Sequence, residues 1–178
     1  MLGTAQDLKS ALLALEPTKD KTQGITKFVG VISSFMNKVQ GGPLGSPGIF
    51  TFNDAAMIAI LMTQQPVKDN SWIPTFASAW EAGCIAAVIA PGTVTNPVWI
   101  GSGTKDVATL PTAAATITTL SAAKALLTAG LASVGPTSDA PLPLANAIRN
   151  ATLAFVFNCI GLGPPPPLTP IPVPTPAE

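Results

Sequence analysis

The chain has 178 residues, enough for one domain with a sizeable core, and its nine basic and nine acidic side chains cancel to zero net charge. Charged residues make up 10% of it, against about a quarter in a typical soluble domain. It holds no His, no Tyr and a single arginine, Arg149, which counts against general-base catalysis, histidine metal sites, phosphate forks and a basic nucleic-acid face.

With so few charges, the exterior has to be built from Thr, Ser, Asn, Ala, Gly and Pro. A neutral surface of that kind favours association, so permanent packing against neighbours is expected. The opening MLGTAQDLKS lacks the charged-then-apolar order of a secretory signal. Residues 82–104 carry no charge, but Pro91 and Pro97 interrupt them short of the ~18–20 continuous apolar residues of a membrane span.

In chain order, residues 4–15 read as a helix with Thr4 as N-cap, Asp7 in the first turn and a Leu8, Leu12, Leu15 stripe. Pro17 and Thr18–Lys21 end it as a solvated turn. Residues 22–39 form a second helix, with Ile25, Phe28, Val29, Ile32, Phe35, Met36 and Val39 on one broad face. The run GGPLGSPG at 41–48 reads as a loop. Thr51 or Asn53 caps a third helix to about Thr63, with Ala56, Met57, Ile60 and Leu61 inward. After a polar linker at 64–71, a fourth helix over 73–90 tolerates Pro74 in its first turn and carries Ile73, Phe76, Trp80, Cys84 and Ala87 as a stripe.

Thr93–Thr95 and Val98–Ile100 flank Asn96-Pro97 as in a short β-hairpin. Residues 109–132 give a helix faced by Leu110, Ile117, Leu120, Ala123, Leu127 and Leu131, its first turns weakened by threonines. Gly135-Pro136 follows. The stretch 139–163 then predicts a central helix: Leu144, Ile148, Ala151, Phe155 and Cys159 make one stripe, and Leu153, Phe157 and Ile160 a second. The expected fold is therefore mainly α: a helical bundle of about six helices with one small β-hairpin excursion. It is one domain over 1–163, and a Pro-rich extended C-terminal tail occupies 164–178.

No stretch carries a catalytic, cofactor or metal signature. Cys84 and Cys159 fall on apolar helix faces and read as buried thiols rather than a disulfide, and two cysteines without histidine make no usual zinc site. GGPLGSPG lacks the GK[ST] ending of a phosphate loop, and Ser46 and Ser102 have no histidine to activate them. Trp80 reads as core. Trp99 either anchors a contact or packs down on the 73–90 helix. The tail holds eight prolines and should be disordered on a free monomer; it is either a spacer or a segment docked on a neighbour through Leu168, Ile171 and Val173.

Three stretches carry a resemblance in layout: FASAWEAGCIAAVIAPGTVTNPVWIGSG at 76–103, the Ala/Thr-rich helix after it, and PLANAIRNATLAFVF at 143–157. Together they resemble the helical, Ala-rich minor structural proteins of tailed-bacteriophage virions. The resemblance implies a non-enzymatic virion component made in the host cytoplasm and acting by repeated protein–protein contact. Its partners would be other virion proteins or its own copies in a symmetric assembly, with no cofactor, nucleic acid or membrane. The alternative is a membrane-active, pore-forming or holin-like protein built on the 73–90 and 141–161 helices, against which the missing basic flanks weigh.

Overall fold

A reciprocal capping box starts the first helix, α1 (Ala5–Leu13): the Thr4 hydroxyl accepts from the Asp7 amide at 3.2 Å, and the Asp7 carboxylate accepts from the Thr4 amide at 2.7 Å. Those bonds hold the Asp7 carboxyl below the ordinary carboxylate range. Asp20 caps the second, α2 (Lys21–Met36), by accepting from the Thr22 amide at 2.8 Å. Asn53 caps α3 (Asp54–Thr63) through the Ala56 amide at 3.0 Å. Then come α4 (Trp72–Ile85), with Pro74 in its first turn, α5 (Leu120–Ala132) and α6 (Pro141–Leu153). The computed structural model describes residues 2–41, 45–46, 48–64, 69–89, 93–95, 99–100, 109–111, 116–133, 141–159, 169–170 and 173–176, with side chains described at 2–39, 50–64, 69–87, 117–133 and 141–155.

The strands are short, none longer than four residues among the described residues, and the chain is mainly α. They are β1 (Gln40–Gly41), β2 (Gly45–Ser46), β3 (Gly48–Thr51), β4 (Val88–Ile89), β5 (Thr93–Thr95), β6 (Trp99–Ile100), β7 (Thr109–Pro111), β8 (Thr116–Ile117), β9 (Val156–Cys159), β10 (Thr169–Pro170) and β11 (Val173–Pro176). All pair antiparallel, in the orders β1-β3-β4, β2-β5-β7, β11-β9-β8 and β10-β6.

The helices close on themselves. Each packs on the next in sequence, and α6 packs back on α1. The helix expected at the centre is therefore a member of the ring, with its inner face buried at Ala145, Ala147, Ile148, Ala151 and Thr152. The Thr152 hydroxyl donates to the Ile148 carbonyl one turn back at 2.7 Å and, across the ring, sits 3.4 Å from the Met36 sulfur of α2. Trp80, at 0% exposure, packs on Phe155 with ring centroids 5.5 Å apart, and Phe155 meets Phe50 at 6.2 Å.

Several boundaries differ from expectation, and β-branched residues explain most of them. The helix expected from 109 begins at Leu120; Thr109–Pro111 and Thr116–Ile117 are strands, as threonines favour. The 73–90 helix stops at Ile85, and Val88–Ile89 pairs with β3. The 141–161 helix stops at Leu153, and Val156–Cys159 is a strand, so Cys159 lies on no helix. An apolar run of that length suits a strand or a helix equally, and here partners on both edges decide for the strand. The glycine-rich stretch at 41–48, expected as loop, contributes β1, β2 and the start of β3. The two arms expected to pair as a hairpin are both strands, but β5 pairs with β2 and β7, and β6 with β10. Gly135-Pro136 lies outside the described residues.

Lys21 shows what the charged turn does. Its ammonium donates to the carbonyls of Met62 at 2.8 Å and Gln64 at 2.9 Å, so it closes the C-terminus of α3 from the start of α2. The Glu81–Lys124 ion pair, at 2.6 Å and half-buried, links α4 to α5 side chain to side chain.

Two substitutions test this packing. Phe155→Ala empties the contact with Trp80 and Phe50, and should lower stability in denaturant melts by about 3–5 kcal/mol. A loss below ~1 kcal/mol would remove Phe155 from the centre. Gly83→Ala should cost about 1–3 kcal/mol, because a Cβ there would fall inside the buried Phe52 ring.

Candidate functional site

Two asparagines build the one polar junction of note among the described residues. Asn37, just past α2, accepts the Phe52 amide at 2.7 Å and donates to the Ser33 hydroxyl at 3.3 Å. Asn53, at the head of α3, donates to the Ala86 carbonyl at 3.2 Å while its backbone amide bonds the Gly83 carbonyl at 3.1 Å. These bonds draw the end of α2, the start of α3 and the end of α4 together around an open cleft of about 380 Å³. Ser33, Asn37, Thr51, Phe52, Asn53, Asp54 and Ala86 line it.

The cleft is a joint. Both amides spend their oxygen and nitrogen within the fold, Asn53 on two backbone groups and Asn37 on the Phe52 amide and the Ser33 hydroxyl, so they brace the helix ends. The Asp54 carboxylate stands in the first turn of α3, where it complements the helix dipole. Among the described residues of the lining, Asp54 is the one titratable side chain. No group of three or more His, Cys, Asp or Glu gathers among the described residues.

Cys84 is free and buried on α4. Burial pushes its thiol well above the ordinary value of 9.0, with the Glu81 charge adding to the shift. A thiol held protonated and out of solvent is a poor nucleophile. Its packing role is the one the sequence implied.

The interface candidates fall as follows. Trp99 lies in β6 opposite Pro170 of the tail, and Ile100 lies opposite Thr169. Val173 lies in β11 opposite Cys159. Leu168 and Ile171 lie outside the described residues, as does Ser102. The backbone register thus brings Trp99 and the tail together, two features that the sequence offers separately. Where disorder is expected of the tail on its own, Thr169–Pro170 and Val173–Pro176 pair within the chain.

Sequence reasoning missed a second set. Large apolar side chains are exposed at Leu13 (62%), Ile85 (69%) and Leu126 (51%), more modestly at Leu142, and at Leu153, which the sequence placed on the second apolar stripe of the buried helix. The signal was available: Leu13 lies off the Leu8–Leu12–Leu15 stripe, and Leu126 lies off the stripe through Ala123, Leu127 and Leu131. Among the described residues no helix is long and apolar enough to cross a membrane. Comparison with protein-family models, with curated proteins and with solved structures finds no match to this chain.

The Cys84 environment makes stability depend on pH. The folded state keeps a proton that the unfolded chain releases more readily, so this contribution is whole below about pH 9 and declines as pH rises beyond it. Urea midpoints should fall more steeply above that pH in the native protein than in Cys84→Ala. Parallel curves for the two would show that the thiol carries no such linkage.

Proposed function

We propose that this protein is a non-enzymatic structural component of a tailed-bacteriophage virion, working through repeated contacts with its own copies and with other virion proteins. The observation that carries the assembly part is the exposed apolar set, Leu13, Ile85, Leu126, Leu142 and Leu153, on a chain with only 10% charged residues. Scattered apolar side chains are ordinary on a well-charged surface. Here few charges stand between them to keep neighbours apart, and contact with another protein removes that apolar area from water.

The cleft between α2, α3 and α4 supports a structural role as well, since its polar groups are committed to holding helices in place. A rigid helical ring with neutral, partly apolar outer faces is suited to repeated packing. The virion assignment rests on the resemblance in layout through 76–103, the Ala/Thr-rich stretch and 143–157.

Light scattering across a concentration series tests the assembly part. The native protein should associate, and Leu126→Asp combined with Leu153→Asp should weaken association on the order of tenfold or more while leaving helicity intact. Unchanged association in the double variant would remove this surface from the contact. Mass spectrometry of purified particles, together with the neighbouring genes, tests the virion part. Release of dye from liposomes by the native protein would favour the membrane-active alternative instead.

A further inference from the structure

Prolines occupy positions 170, 172, 174 and 176, every second residue of 170–176. Consecutive backbone amides in a strand face opposite edges, so this spacing strips donors from one edge and leaves them on the other. Strand β11 pairs with β9 in a register that sets Val173 opposite Cys159, Pro174 opposite Asn158, Thr175 opposite Phe157 and Pro176 opposite Val156. A proline cannot donate to the ladder, so the amides that bond β9 are those of Val173 and Thr175. The outer edge of β11 is left with carbonyls and with no amide donor at 174 or 176. The order β11-β9-β8 makes β11 the outermost strand of its sheet. It can add to an edge, but no further strand can add to it with a full ladder.

We propose that the β9 edge is a strand-acceptor site and that copies of this chain join by exchanging Val173–Pro176, each tail pairing with β9 of a second copy. This deepens the assembly reading above and rests on it. The ladder runs backbone to backbone, so a tail from a second copy makes the same bonds in the same register as the chain's own. The tail is held by two short ladders, four residue pairs on β9 and two on β6, and these are what exchange has to break. Zero net charge sets up no long-range repulsion between copies. The prolines then end the process: an exchanged tail closes one edge and offers no new one, so the product is a defined joint and not a growing sheet.

Val173→Cys tests the exchange, because it places a thiol opposite Cys159 at a hydrogen-bonded pair, where Cα atoms about 5.5 Å apart lie within disulfide reach. Light and heavy-isotope copies of the variant are unfolded, mixed, refolded together and oxidised at rising concentration. Chymotryptic peptides joining 159 to 173 are then scored by mass. Mixed light–heavy links that increase with concentration are the expected result. Links that stay unmixed at every concentration overturn the exchange, and absence of any 159–173 link overturns the register on which it stands. A synthetic peptide of residues 169–178, added in excess to the native protein, gives a second reading that does not depend on the variant's folding. It should shift the native oligomer to smaller species, and no shift counts against the proposal. Light scattering on the native protein separates the two failures. If it associates while links stay unmixed, only the exchange is wrong; if it stays monomeric throughout, the assembly reading falls too.

Discussion

Phe155 sits between Trp80 of α4 and Phe50 of β3, and that three-ring contact ties the end of α6 to the opposite side of the core. It exists because α6 stops where it does. The amides of Ala154 and Phe155 turn back to the carbonyls of Ala151 and Thr152, at 3.2 and 3.1 Å, which tightens the last turn and sets Phe155 just past the helix. Phe50 is held from the other side by the β3–β4 pair, opposite Ile89. Offset and tilted aromatic contacts at these spacings add to the gain from burial alone. Helix end, strand pair and core are thus one arrangement: moving any of them opens the space that Phe155 fills.

Around that core the protein uses small polar side chains as ties. Asn37, Asn53, Thr119 and Thr152 each bond a backbone group, the Thr119 hydroxyl reaching the Ala154 carbonyl at 2.7 Å. Lys21 closes α3 from a distance in sequence. Backbone groups left unmet in the interior are costly, and apart from Lys21 these ties meet them with neutral side chains. A chain with 10% charged residues can stay folded on such terms.

Helix existence and core faces were legible in the residues. The stripe Ile73, Phe76, Trp80, Cys84 is buried, as is Val29, Ile32, Phe35, Met36, and Thr4 and Asn53 cap as their side chains suggest. Boundaries were less so. Val156–Cys159 is apolar enough to continue a helix, and only its β8 and β11 partners, remote in sequence, tell it apart. The same holds for Val88–Ile89, whose partner is Phe50–Thr51. Of the interface candidates, Trp99 and Val173 acquired strand partners that no local pattern could supply, since register is a property of two segments. The ring closure is likewise a long-range fact. An amphipathic stripe says that a helix has an inner face, but does not say which helix will meet it.

That closure has a consequence in time. Met36 of α2 waits for Thr152 of α6, its neighbour across the ring, through 116 residues of chain. At ordinary rates of synthesis that interval is on the order of 10 s. Over it, Val29, Ile32 and Met36, all fully buried in the finished protein, have only part of their cover. The first helices can form and pair as they emerge, since α1, α2, α3 and α4 each meet the next in order. What they cannot do is seal. Every nascent copy passes through an open, apolar arc before α6 arrives, and on a polysome such arcs stand near one another. The growing chain is most open to wrong partners in this window, and the speed at which α6 is made and docks decides how long the window lasts.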